Sequence, residues 1–248
     1  MSHGIEVEVR QCCDPAESFA VPELPVDTVQ VWIRPLNMPP PLVQACYRLL
    51  SQEERERATR YRVERPRSDF IVTRGTLRSL LAGYLATTPE SLPFQYSGYG
   101  KPLLDRPSDR RCGLRFNVSH TDGLALLAFV RGREIGVDVE KIKAAPDARK
   151  LAERFFSIRE RTVLERLSGE ELDAAFFRCW TRKEAYIKAR GEGLSLPLHQ
   201  FDVSVANSES PALLATRPDP SEAGRWILRD VPTSPGYAAA LAVQTSVD

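Results

Sequence analysis

The segment Ile135-Gly-Val-Asp-Val-Glu140 constrains this chain more than any other. Ile135, Val137 and Val139 alternate with Gly136, Asp138 and Glu140, the two-residue period of a β-strand. Side chains alternate across a strand, so both carboxylates leave one face while three β-branched residues pack on the other. A buried strand that presents two carboxylates must have them neutralised, by a metal ion or a basic group. A second motif, Trp180-Thr-Arg-Lys-Glu-Ala-Tyr-Ile-Lys188, lies in a long helical run. There Glu184 and Lys188 sit one turn apart on a shared face. Three carboxylates and a lysine form a donor set for one hard divalent cation and a phosphate-bearing substrate. Each motif alone has a plainer reading: a solvated strand face, and a surface i,i+4 ion pair worth a few tenths of a kcal/mol.

The elements around these motifs predict a mixed α+β chain. Residues 1–25 are dotted with proline and read as a loose arm, residues 29–33 as a strand, and Pro39-Pro-Pro41 as a break. Ser51-Gln-Glu-Glu54 and Ser157-Ile-Arg-Glu160 are capping boxes that open helices reaching about Arg62 and Leu167. Residues 66–85 form a longer helix with Phe70, Leu77, Leu80 and Tyr84 on its apolar face. Arg67, Arg74 and Arg78 fall within about 40° of one another at 100° per residue, a basic stripe beside that face. Phe116-Asn-Val118 leads into a polar turn, Ser119-His-Thr-Asp-Gly123, and then an apolar run to Val130, as in a β-hairpin. Such a turn offers hydroxyls, an imidazole and backbone N–H groups to an anion. Residues 146–156 are helical, and a further helix over 170–190 stops at Gly191. Residues 201–205, 226–231 and 237–243 read as closing strands. Each half contributes strands and one long helix, which points to a duplicated architecture, although no sequence repeat is visible. Arg182, Lys183 and Arg190 read as solvated charges.

Composition limits the function. At 248 residues with 42% hydrophobic and 27% charged residues, the chain is of globular type and long enough for a real core. A net charge of +1 argues against nucleic acid as a bulk electrostatic partner. No window approaches the roughly 20 apolar residues of a membrane span, and the N-terminus has no signal-like apolar stretch. Five cysteines without CxxC spacing fit reduced thiols and a cytoplasmic setting better than disulfides or a zinc site.

Six motifs, in order, resemble the Sfp-type 4′-phosphopantetheinyl transferases: Gly100-Lys-Pro102, Phe116-Asn-Val-Ser-His120, Gly136-Val-Asp-Val-Glu140, Phe155-Phe-Ser157, Trp180 to Lys188, and Gly193-Leu-Ser-Leu-Pro197. The likeness spans about residues 50–205. It implies an α+β fold of two similar halves with pseudo-twofold symmetry, residues 1–134 and 135–248, with the active site in the cleft between them. It implies transfer of the phosphopantetheine arm of coenzyme A to a serine of an apo acyl or peptidyl carrier protein, releasing 3′,5′-ADP. By motif match, Asp138, Glu140 and Glu184 would hold magnesium. Glu184, Glu140 and Lys188 would serve the chemistry, with Lys188 also on the pyrophosphate. Lys101, Asn117, Ser119 and His120 would contact coenzyme A, with Arg67 or Arg74 as a further phosphate partner. Family members usually carry an arginine before the aromatic at 70, where this chain has Asp69. A monomer suffices, because both halves lie in one chain. The alternatives are another magnesium-dependent phosphoryl-transfer enzyme, such as a nuclease, and a catalytically silent relative that binds carrier proteins.

Overall fold

A computed structural model describes residues 5–12, 21–96, 102–104 and 113–245 of the chain. Lys101, Gly98, Gly100, Cys13, Cys112 and His3 lie outside the described residues. Two sheets stack face to face, and a long helix covers the outer side of each. The first sheet has the order β1-β2-β6-β5, from β1 (Glu6–Gln11), β2 (Thr28–Pro35), β5 (Leu114–Thr121) and β6 (Leu124–Arg131). The second is β10-β11-β7, from β7 (Ile135–Lys141), β10 (Trp226–Asp230) and β11 (Tyr237–Gln244). Val29, Val31, Ile33, Leu126 and Ala128 of the first sheet meet Ile135, Val137, Val139, Leu241 and Val243 of the second. The outer face of the first sheet (Trp32, Phe116, Leu127, Phe129) packs under helix α3 (Glu64–Leu85) through Leu77, Leu80 and Leu81. That of the second packs under the helix Gly169–Arg190, named α6, through Ala175, Phe176, Cys179, Ala185, Tyr186 and Ala189.

The two parts repeat one element order. After β2 come α1 (Pro40–Arg48), α2 (Gln52–Thr59), α3, the hairpin β3 (Phe94–Tyr96) and β4 (Pro102–Leu104), then β5 and β6. After β7 come α4 (Ala148–Phe155), α5 (Ile158–Glu165), α6, the hairpin β8 (Phe201–Val203) and β9 (Leu213–Thr216), then β10 and β11. In the first sheet β6 pairs between β2 and β5, and in the second β11 pairs between β7 and β10, always antiparallel. Both long helices have 22 residues, and each ends on a left-handed residue, Ala86 or Gly191. Both capping boxes form: Ser51 accepts from the Glu54 N–H and Ser157 from the Glu160 N–H, while each glutamate reaches back.

Three local expectations are corrected. The N-terminal arm contains β1, which pairs in parallel with β2 from Glu6 to Gln11. Pro39–Pro41 does not break regular structure but starts α1, because a proline at the first helical positions forfeits no intrahelical bond. Ser119, His120 and Thr121 belong to strand β5, and the turn is only Asp122-Gly123, with Gly123 at φ +90°. Two-residue hairpin turns favour Asp-Gly because they require positive φ. In the β5–β6 ladder Ser119 and His120 therefore lie opposite Leu126 and Ala125. Among the described residues, no helix is long and apolar enough to cross a membrane.

Candidate active site

Gly136 decides how closely α6 approaches β7. A Cβ there would stand 2.1 Å from the Ala185 carbonyl oxygen and 2.4 Å from the Ala189 nitrogen. Only a residue without a side chain lets that helix lie against the strand. The contact brings Glu184 and Lys188 to the face from which Asp138 and Glu140 project.

Asp138 is the buried hub. Its Oδ1 accepts from Lys188 Nζ at 2.5 Å and from the Ser119 hydroxyl at 2.8 Å, and Lys188 Nζ also donates to Ser119 at 3.0 Å. Its Oδ2 is buried without a hydrogen-bond partner among the described residues. Glu140 is half-buried and accepts from the Thr121 hydroxyl at 3.3 Å. Burial, then the charge of Asp138, holds the Glu140 carboxyl above the usual carboxylate range. Burial also raises Glu184; Lys188 opposes that shift, and Asp138 and Glu140 add to it. The three carboxylates thus feel one another across a partly dry site.

β5 joins this site from the other half. It runs beside β7 in the same direction, with Asn117 against Val137, Ser119 against Asp138 and Thr121 against Glu140 and Lys141. The alternation of the strand splits the Ser119-His120 pair. Ser119 faces the carboxylates, whereas His120 faces α3. Asn117 is buried and accepts the Val137 N–H at 2.9 Å, which commits its carbonyl to the junction of the halves. Thr121 was not singled out from the sequence, although it continues the alternation of Asn117 and Ser119.

His120 lines a cleft of about 550 Å³ between α3 and β5, together with Asp69, Phe70, Thr73, Arg74, Pro102 and others. Desolvation there pushes the His120 pKa below its ordinary value; Asp69 opposes this and Lys188 adds to it. The arginine stripe does not act as one surface. Arg78 is buried and pairs with Glu54 at 2.5 Å, while also donating to the Pro89 and Leu92 carbonyls. Arg74 lines the His120 cleft and approaches Glu54 at 3.4 Å. Arg67 instead lines a separate groove between α1 and α3, 3.8 Å from Glu64.

Two charges of the Trp180–Lys188 motif are not solvated. Lys183 is 0% exposed; its ammonium meets Glu160 at 2.7 Å and the Leu198 and Phe201 carbonyls, each at 2.7 Å. Arg182 is buried and forms a two-pronged pair with Asp230 at 2.9 and 2.6 Å. A helix covered by a sheet on one side and by α5 and β8 on another leaves little room for solvated charges, so each is matched. Arg190 is half-buried and pairs with Glu192 and with Glu222 at 2.9 Å.

Among the described residues, no group of three or more carboxylate, histidine or cysteine side chains forms a ready-made metal cage. The donor chemistry nevertheless suits a hard divalent cation. Asp138 Oδ2 is buried and unmatched, and Glu140 and Glu184 carry raised pKa values that a nearby cation would relieve.

Residues 134–242 match the family model of the 4′-phosphopantetheinyl transferase superfamily, and residues 40–131 match that of the 4′-phosphopantetheinyl transferase N-terminal region. The chain is 39% identical over 218 residues to the 4′-phosphopantetheinyl transferase HetI of Nostoc sp., covering 88% of each chain. It is 32% identical over 154 residues to the 4′-phosphopantetheinyl transferase Sfp of Bacillus subtilis, covering 62% of this chain and 66% of that one. On these matches, this chain belongs to the 4′-phosphopantetheinyl transferase superfamily.

Proposed function

We propose that the protein transfers the 4′-phosphopantetheine arm of coenzyme A to a serine of an apo acyl or peptidyl carrier protein, leaving 3′,5′-ADP. The observation that carries this reading is the assembly of Asp138, Glu140, Glu184 and Lys188 on the junction of two repeated halves, in a chain of this family. The division at 134/135 falls between β6 and β7, and both sides of it line the site.

Asp138, Glu140 and Glu184 would hold magnesium, which prefers hard oxygen donors and, when bound, neutralises charge on the pyrophosphate. Lys188 reaches the same position and stabilises negative charge on the departing 3′,5′-ADP phosphate. The carrier serine oxygen bonds to the phosphorus of the phosphopantetheine group as the bridging bond to 3′,5′-ADP breaks. Glu184 takes the serine proton. Glu140 is the other candidate base. Ser119 holds Asp138 and Lys188 in place by donating to the one and accepting from the other. His120 and Arg74, with Lys101 beyond the described residues, meet the 3′-phosphate of coenzyme A. This places the phosphate on the α3 side of β5, apart from Ser119.

Because one chain supplies both halves of the site, the protein works as a monomer; light scattering that returns an obligate trimer would contradict this. The buried Cys179 thiol suits a reducing cytoplasm. The test is incubation with coenzyme A and an apo carrier, read by mass spectrometry with and without chelator. Transfer that survives complete chelation overturns the magnesium assignment.

A further inference from the structure

Two buried polar atoms in the His120 cleft, Asp69 Oδ1 and Thr73 Oγ1, have no hydrogen-bond partner among the described residues. They lie one turn apart on the same face of α3. Thr73 is 9% exposed and the Asp69 side chain 13%. Each unmatched buried group costs stability until something bonds to it. Asp69 Oδ2 is already approached by Arg65 Nε at 3.5 Å, so Asp69 has one acceptor to spare. Thr73 has a hydroxyl that can donate. Beside them stand Tyr61 and Phe70, whose ring centroids are 5.5 Å apart, with Arg57 packed over Phe70 at 5.1 Å. The slot therefore combines a flat aromatic wall with one acceptor and one donor at adjacent positions.

We infer that Asp69 and Thr73 form a base-reading pair selective for adenine, in which Asp69 accepts from the exocyclic amine and Thr73 donates to the neighbouring ring nitrogen. The inference rests on the coenzyme A reading above and deepens it. An adenine edge presents a donor beside an acceptor. Guanine presents two acceptors on the corresponding edge, and its other edge carries two donors that one free carboxylate oxygen cannot satisfy. Hypoxanthine replaces the amine by a carbonyl, which would face Asp69 oxygen to oxygen. Burial already holds the Asp69 carboxyl above its ordinary pKa, opposed by Arg65 and His120, and a donating amine would relieve that burial.

The experiment titrates adenosine 3′,5′-bisphosphate and inosine 3′,5′-bisphosphate into the full chain by calorimetry. Wild type binds the adenosine compound about tenfold or more tightly, the usual effect of a hydrogen bond to a charged group. In Asp69→Ala and Thr73→Val that ratio falls to within about twofold, while the preference for adenosine 3′,5′-bisphosphate over adenosine 5′-monophosphate persists. Thr73→Ser keeps the hydroxyl and keeps the base ratio, which separates lost recognition from a damaged fold. Equal wild-type binding of the two bases, or full discrimination in both Asp69→Ala and Thr73→Val, overturns the proposal. Failure of wild type to bind either nucleotide overturns the coenzyme A reading itself.

Discussion

The two halves are built on one plan and equipped differently. Each opens a short helix with a capping box whose glutamate is buried and then receives a cation from the long helix. In the first half Glu54 takes Arg78 and Arg74; in the second Glu160 takes Lys183. Arg78 and Lys183 occupy the same position, counted from the start of two 22-residue helices. One residue further on, the first half has Ser79 and the second Glu184. Four residues beyond that, Gly83 stands where the second half has Lys188. The shared features are those of the frame, and the differing ones are those of the chemistry. The carboxylates and lysine of the proposed site lie on the second half, while the first half contributes β5 and the cleft of His120, Arg74 and Asp69.

The largest expected effect tests that asymmetry directly. Glu184→Ala or Lys188→Ala should lower turnover by about a thousandfold, since each acts on charge that develops in the transition state. Ser79→Ala, at the matching position of the first half, should stay within about twofold of wild type. Comparable losses from Ser79→Ala would mean that the halves share the chemistry.

The frame itself should also be uneven. Lys183→Met leaves Glu160 charged and fully buried, which typically costs about 3–5 kcal/mol. Arg78→Met leaves Glu54 with Arg74 still beside it, so the expected loss is smaller, about half as much by the same reasoning. Urea denaturation of the two variants measures the difference, and equal losses would show that Arg74 does not share the Glu54 charge.

What the sequence displayed follows the range of the interactions involved. Capping boxes, the β5–β6 hairpin, the Gly191 stop and the alternation of β7 all depend on residues a few places apart, and all were legible. Strand β1 was not, because its hydrogen bonds go to β2 across a long connection. The burial of Lys183 was not legible either, since its partner Glu160 lies on another helix and no local pattern announces it. Ending β5 three residues early hid the division between Ser119 and His120, although the alternation already contained it. At the site, the four residues placed around Asp138 were named from motifs. Thr73 and the free oxygen of Asp69 became visible only when α3 was set against β5.

The two arginines offer a finer comparison within the first half. Arg74 lines the His120 cleft, so Arg74→Ala should weaken coenzyme A binding about tenfold. Arg67 faces the α1–α3 groove, and Arg67→Ala should leave affinity unchanged. Calorimetry on both variants decides it, and the reverse pattern would return the phosphate contact to Arg67.

The smallest effect concerns stability. Glu184 has a folded-state pKa raised by burial, so between its unfolded and folded values the native state binds more protons. Wild-type stability therefore falls as pH rises through that window. Glu184→Gln should melt slightly higher than wild type at pH 8, and the gain should vanish near pH 4, where both side chains are neutral. A gain that persists at pH 4 would point to packing in place of charge.

The central claim is that the junction carboxylates drive transfer from coenzyme A, and intact mass spectrometry of an apo carrier tests it most directly. Wild type with coenzyme A and magnesium should add one phosphopantetheine group to the carrier and release 3′,5′-ADP. Asp138→Ala should add almost none, while still binding coenzyme A with an affinity close to wild type. A carrier left unmodified by wild type, or modified at full rate by Asp138→Ala, would contradict the account.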